Sequence, residues 1–183
     1  MDRFLIGQGL PFGLCVVLLI LPLPVVLSWA TAVLVHEMGH WLALRLLRVP
    51  IYRIRIGLLG AELYTGPMSP LKTALCALAG PFAGMLLLLI AKYFPMTALF
   101  GLIHSLVNLI PMLPLDGGRI VHGLFYKLPG LVRAVENGAL ILVVGILFYL
   151  LLRSVLGIIP FLILIFLLIR RKLSCKGDSQ RVQ

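Results

Sequence analysis

Residues 25–47 read VVLSWATAVLVHEMGHWLALRLL, an apolar run interrupted by His36, Glu37 and His40. On a helix, residues four apart lie one above the other, so His36 and His40 share a face and both imidazoles can reach one metal ion. Glu37 sits about a third of a turn round, where it can take a proton from water at that ion. Chance produces the three fixed residues of HExxH in a chain of 183 residues roughly once in a few hundred sequences. An ionisable side chain in a membrane helix costs about 2.5–3.5 kcal/mol on insertion scales, so it persists where something offsets that cost. Zinc binding, which contributes about 10–16 kcal/mol at structural sites, is large enough to do so. The alternative is a pair of hydrogen-bonded histidines packed in a bundle.

Hydrophobic residues make up 61% of the chain and charged residues 12%, the profile of an integral membrane protein. The formal net charge of +10 would suit nucleic acid, but the Lys and Arg residues flank apolar runs, the placement that orients a membrane protein. Cys15, Cys76 and Cys175 form no CxxC pair and imply no disulfide framework; Cys15 and Cys76 read as small hydrophobes. The first apolar run is read as an uncleaved span, since only Arg3, set against Asp2, precedes it.

The predicted fold is an all-α polytopic membrane protein of about six transmembrane helices. A small membrane-associated β-hairpin separates helices two and three. The spans are placed at about Leu10–Leu23, Val25–Leu47, Leu71–Tyr93, Thr97 onward into the stretch 108–119, Ala134–Leu152 and Leu156–Ile169. The first is short unless part of Phe4–Gly9 joins it. Residues 1–169 form one intramembrane domain, and 170–183 a short basic cytoplasmic tail that anchors to anionic headgroups. Tyr52, Ile54 and Ile56 alternate with Arg53 and Arg55, a period of two that predicts a strand, with a turn over 57–60 and a return strand over 61–65. Such an edge can add an extended substrate as a further strand. Its other reading is a connecting ribbon with Glu62 facing Arg53 or Arg55.

Gly80 and Gly84 make a GxxxG pair suited to close helix packing. Further on, NLIPMLPLDGGR (108–119) packs two prolines, two glycines and an acid into an apolar setting, the mark of a broken helix facing protein or water. Asp116 is a candidate third metal ligand, completing a His-His-carboxylate set with one position open. Its alternative is a helix cap or a partner of Arg119. His104, four residues before Asn108, reads as a fourth ligand or proton shuttle, or as a packed, hydrogen-bonded histidine. His122, Glu136 and Asn137 are assigned to the membrane interface. With the N-terminus cytoplasmic, Arg3, Arg45, Arg48, Arg53, Arg55, Lys72, Arg119, Lys127, Arg133 and the tail share one side, leaving Lys92 and Arg153 opposite. This predicts a multi-pass protein of the cell membrane with both termini cytoplasmic and the metal motif in the cytoplasmic half of the bilayer.

VHEMGHW (35–41), AGP (79–81) and NLIPMLPLDGG (108–118), in that order, resemble the site-2 family of intramembrane metalloproteases, M50, over roughly residues 25–119. The short layout looks most like the bacterial sporulation branch, which cleaves a membrane-tethered pro-sigma factor. The resemblance implies zinc as cofactor, with His36, His40 and Asp116 as ligands and Glu37 as catalytic base. It implies that Asn108 helps hold the substrate backbone, as a further donor to the developing negative charge. The implied partners are a transmembrane or membrane-tethered protein substrate, such as a pro-sigma or anti-sigma factor, the lipid bilayer and a membrane inhibitor or regulator. Phe82, Ala83 and Gly84 stand where many members carry Asn after the Gly-Pro pair. No PDZ insertion is expected, and the tail is too short for the CBS domain of the sporulation branch. Three rivals are weighed: an inactive relative that binds membrane proteins, a divalent-metal transporter, and a membrane zincin with its site outside the bilayer.

Overall fold

The structure is a computed structural model that describes residues 4–6, 19–57 and 60–153; for 4–6, 55–57, 60–62 and 151–153 it describes the backbone alone. The first expected span lies mostly outside these residues, and the sixth span and the tail lie outside them entirely.

Helix α1, Leu23–Leu46, carries HExxH in its second half. Pro22 caps it and Pro24 follows in the first turn, where a missing N–H costs nothing because those amides have no partner within the helix. The helix stops at Arg48, whose φ of 55° turns the chain left-handed. The amide of Val49 then reaches back to Leu44 O at 2.9 Å and that of Arg48 to Arg45 O at 3.1 Å, which is a Schellman stop with arginine where glycine is usual. Val49 packs on Leu44 and Cys76 in a small apolar cluster, and Lys72 Nζ donates to Leu47 O at 3.1 Å.

Strands β2, Ile51–Gly57, and β3, Gly60–Thr65, pair antiparallel, with Gly57 opposite Gly60 and an irregularity between Ile51 and Arg53. A third strand was not expected. Phe4–Ile6, part of the stretch that could have lengthened the first span, is strand β1, parallel to β2 with Phe4 opposite Ile54 and Ile6 opposite Ile56. The hairpin is thus two-thirds of a sheet ordered β1-β2-β3. Phe, Leu and Ile pack well on a pleated surface, and a strand edge left open carries backbone groups that a further strand can satisfy.

Helix α2, Pro70–Leu86, follows a Ser69 cap and runs on as a short 3-10 turn, Leu87–Ile90. Then come α3, Pro95–Asn108, α4, Asp116–Leu124, and α5, Pro129–Arg153. The centre of the described residues is α2, whose buried positions are all small: Ala74, Cys76, Ala77, Gly80, Pro81 and Gly84. Small side chains let neighbouring backbones come close. A Cβ on Gly39 of α1 would overlap Ala79 O, and one on Gly101 of α3 would lie 2.7 Å from Gly84 O. Outward faces are apolar instead: Leu27, Leu34 and Met38 of α1 and Leu78 and Phe82 of α2 are exposed. Among the described residues, Pro70–Ile90 and Pro129–Leu150 are long and apolar enough to cross a membrane.

Candidate active site

α1 presents His36 and His40 to the small-residue face of α2. Gly80 allows this, because a Cβ there would overlap the His40 ring. The Nδ1–H of His40 donates to Cys76 O at 2.7 Å, in a turn whose backbone ladder is interrupted by Pro81. That bond fixes the His40 ring, whose Nε2 lies over Gly80 and faces His36 and Asp116.

The acid arrives from 76 residues further along the chain than His40. Asp116 is the first residue of α4, and its approach depends on Gly117 and Gly118. A Cβ on Gly117 would overlap Leu109 O, and one on Gly118 would lie 2.5 Å from Leu113 N, so the loop can fold back tightly onto the start of α4 only without those side chains. The Leu113–Pro114 peptide in this loop is cis. Asp116 makes no cap to its own helix. Its Oδ2 lies 3.1 Å from Nε2 of His36 and 3.1 Å from Nε2 of His40, and the two Nε2 atoms are 3.2 Å apart. His36 and Asp116 are buried and His40 nearly so.

These three atoms fit a metal ion. With His40 Nδ1–H committed to Cys76 O, a neutral His40 turns a lone pair toward a carboxylate oxygen. Two acceptors facing each other in a buried site need a cation between them. Zinc bonds to nitrogen of about 2.0–2.1 Å in tetrahedral geometry set neighbouring donors about 3.3 Å apart, close to the spacing seen. Among the described residues, His36, His40 and Asp116 are the group of donors able to hold a metal.

Glu37, part-buried, follows His36 on α1, about 100° round the helix, and is not one of the three converging donors. His104 is not one of them either: its ring stands edge-on to His36, centroids 4.6 Å apart. Its Nε2 accepts from Asn108 Nδ2 at 3.1 Å, and Asn108 Nδ2 also donates to His104 O at 3.0 Å. With Nδ2 turned back on His104, the amide of Asn108 presents Oδ1, an acceptor.

Three contributors carried no local signal. The Cys76 carbonyl could have been any carbonyl. Gly80 was legible only as a packing residue, whereas the surface it opens receives a ligand ring. Glu136, assigned to the interface by position, is 7% exposed and accepts from both Leu113 N at 3.2 Å and His122 Nε2 at 3.2 Å. It ties α5 to the loop that delivers Asp116.

Two imidazoles and a carboxylate thus converge inside an apolar helical bundle. The model of Peptidase family M50 matches residues 88–152. In structure the chain is similar to the site-2 protease from Methanocaldococcus jannaschii, with a TM-score of 0.61 and 22% identity over 87% of this chain and 83% of that one. Comparison with curated proteins finds no match. The family-model match bears out the M50 resemblance and supports a metalloprotease, and the structural match shows that the fold is like that of the site-2 protease.

Proposed function

We propose that the chain is a zinc-dependent intramembrane endopeptidase that cleaves a membrane-embedded or membrane-tethered protein. The observation that carries this reading is the convergence of His36 Nε2, His40 Nε2 and Asp116 Oδ2 within 3.2 Å of one another. His36, His40 and Asp116 would hold zinc, which when bound supplies Lewis-acid polarisation of a carbonyl and of water.

Glu37 acts as general base and then general acid: it takes a proton from water and returns it to the leaving amine nitrogen. The water oxygen bonds to the scissile carbonyl carbon as the C–N bond breaks. Asn108, with its Nδ2 turned to His104, holds substrate by accepting from a backbone N–H through Oδ1, in place of the donor role expected of it. Strand β3 is an edge of the sheet, and Leu63 packs against the cluster at the end of α1, so an unwound substrate segment can be held there extended.

The remaining features rest on the sequence: a multi-pass topology with both termini cytoplasmic, a single domain over 1–169, a membrane regulator, and a pro-sigma or anti-sigma substrate as in the sporulation branch. The exposed apolar faces of α1 and α2 favour lipid around the helices. An inactive relative is disfavoured by Glu37 standing beside a complete donor set.

The test is Glu37→Gln in the full chain, purified in detergent with one equivalent of zinc and assayed on tethered substrates. Retained zinc with cleavage reduced about 10²–10⁴-fold supports the assignment. Undiminished cleavage, or an unaltered protein that binds no zinc, rules it out.

A further inference from the structure

The two histidine ligands are not equally supported. His40 has its Nδ1–H on Cys76 O, but Nδ1 of His36, a residue only 2% exposed, has no hydrogen-bond partner among the described residues. One other buried side-chain polar atom among them shares that condition: Oγ of Ser105, on α3, at 0% exposure. Leaving such groups unmatched is costly, so two orphans in one place call for a common explanation. They are in one place. A Cβ built on Gly84 of α2 would overlap Ser105 Oγ and lie 3.7 Å from His36 Nδ1, so both atoms border the space that this glycine leaves open.

We propose that Ser105 is a positioning residue for His36: the two atoms are not hydrogen-bonded here, and a small side-chain rotation into the space beside Gly84 lets Ser105 Oγ accept the Nδ1–H of His36 and hold that ring in the tautomer that presents an Nε2 lone pair to the ligand point. Gly84 keeps the path between them open. Ser105 sits three residues before Asn108 on the same helix, so α3 serves the centre twice, through substrate and through a ligand ring. This rests on the metal reading above. It goes beyond that reading in assigning a role to a serine outside every motif, and in explaining why residue 84 carries no side chain. Metal-ligating imidazoles are held this way as a rule, and loss of the holding group weakens metal binding about 10–100-fold.

The experiment is a zinc and Co(II) titration of the full chain in detergent, comparing the unaltered protein, Ser105→Ala and His36→Ala. Ser105→Cys, which keeps the volume but is a poor acceptor, replaces the alanine variant should that one fail to fold. The expected result is zinc affinity lower by about 10–100-fold, altered Co(II) absorption bands and an unchanged thermal midpoint without metal. A serine that merely fills space would leave the Co(II) bands where they are. Affinity within about twofold of the unaltered protein overturns the proposal while the zinc reading stands. Absence of zinc binding in the unaltered protein overturns both.

Discussion

Nε2 of His36 lies 3.1 Å from Oδ2 of Asp116, although 80 residues separate them. Neither residue can be replaced by a neighbour, because α1 and α4 each deliver their donors from a backbone wedged against α2. Gly39 and Gly80 do the wedging on one side and Gly123, whose Cβ would lie 2.5 Å from Pro70 O, on the other. The donor set is therefore a property of helix packing, and the packing can be tested at single atoms.

Asp116→Asn keeps the shape of the side chain but removes the charge opposing two imidazoles. Zinc content, read by metal analysis after dialysis, should fall by more than about 100-fold in affinity terms, since a ligand outweighs the groups that support it. Stoichiometric zinc in this variant would exclude Asp116 as a ligand.

Gly80→Ala places a methyl where the His40 ring now stands. The ring is the mobile end of a side chain and can swing aside, so the helices should stay packed while the donor is lost. Cleavage should drop at least about tenfold for a destabilisation of no more than about 1–3 kcal/mol. The matched control is Gly145→Ala on α5, which meets nothing within 4 Å and should raise stability by about 0.5–1 kcal/mol with cleavage unchanged.

Glu136→Ala strips the acceptor from Leu113 N and leaves that amide unsatisfied, at a cost of about 1–3 kcal/mol. The thermal midpoint should fall, and cleavage with it, because the loop that delivers Asp116 is loosened. Glu136→Gln, which keeps a side-chain oxygen, should recover most of both. Equal loss in the two variants would show that charge toward His122, rather than the bond to the loop, is what Glu136 contributes.

Arg48→Gly relieves a left-handed residue that has a Cβ. Unfolding in detergent should show a gain of about 1 kcal/mol, the steric cost of that conformation for an L-residue. A loss would mean that the arginine side chain contributes more than its backbone costs.

HExxH, the apolar periodicity and the broken NLIPMLPLDGG segment were readable because each is a local pattern: spacing along one helix, or prolines and glycines that end one. β1 was not readable. Three residues, Phe4–Ile6, match a strand and a helix extension equally well, and only β2 at a distance of about fifty positions decides between them. The burial of Glu136 was not readable for the same reason, since burial is a statement about what comes to lie on top of a residue.

The sequence by itself determined the chemistry available: two imidazoles on one helix face, a carboxylate beside them, and an acid in a glycine-rich break, all in an apolar chain. It did so because helical spacing is fixed by backbone geometry and needs no partner. Tertiary structure alone decided that Asp116 joins His36 and His40, that Cys76 orients one ring, and that Asn108 turns its amide nitrogen back on His104. These outcomes depend on how closely helix backbones approach, and that distance is set by glycines on other segments, for which a local pattern such as GxxxG records the closeness but not the partner.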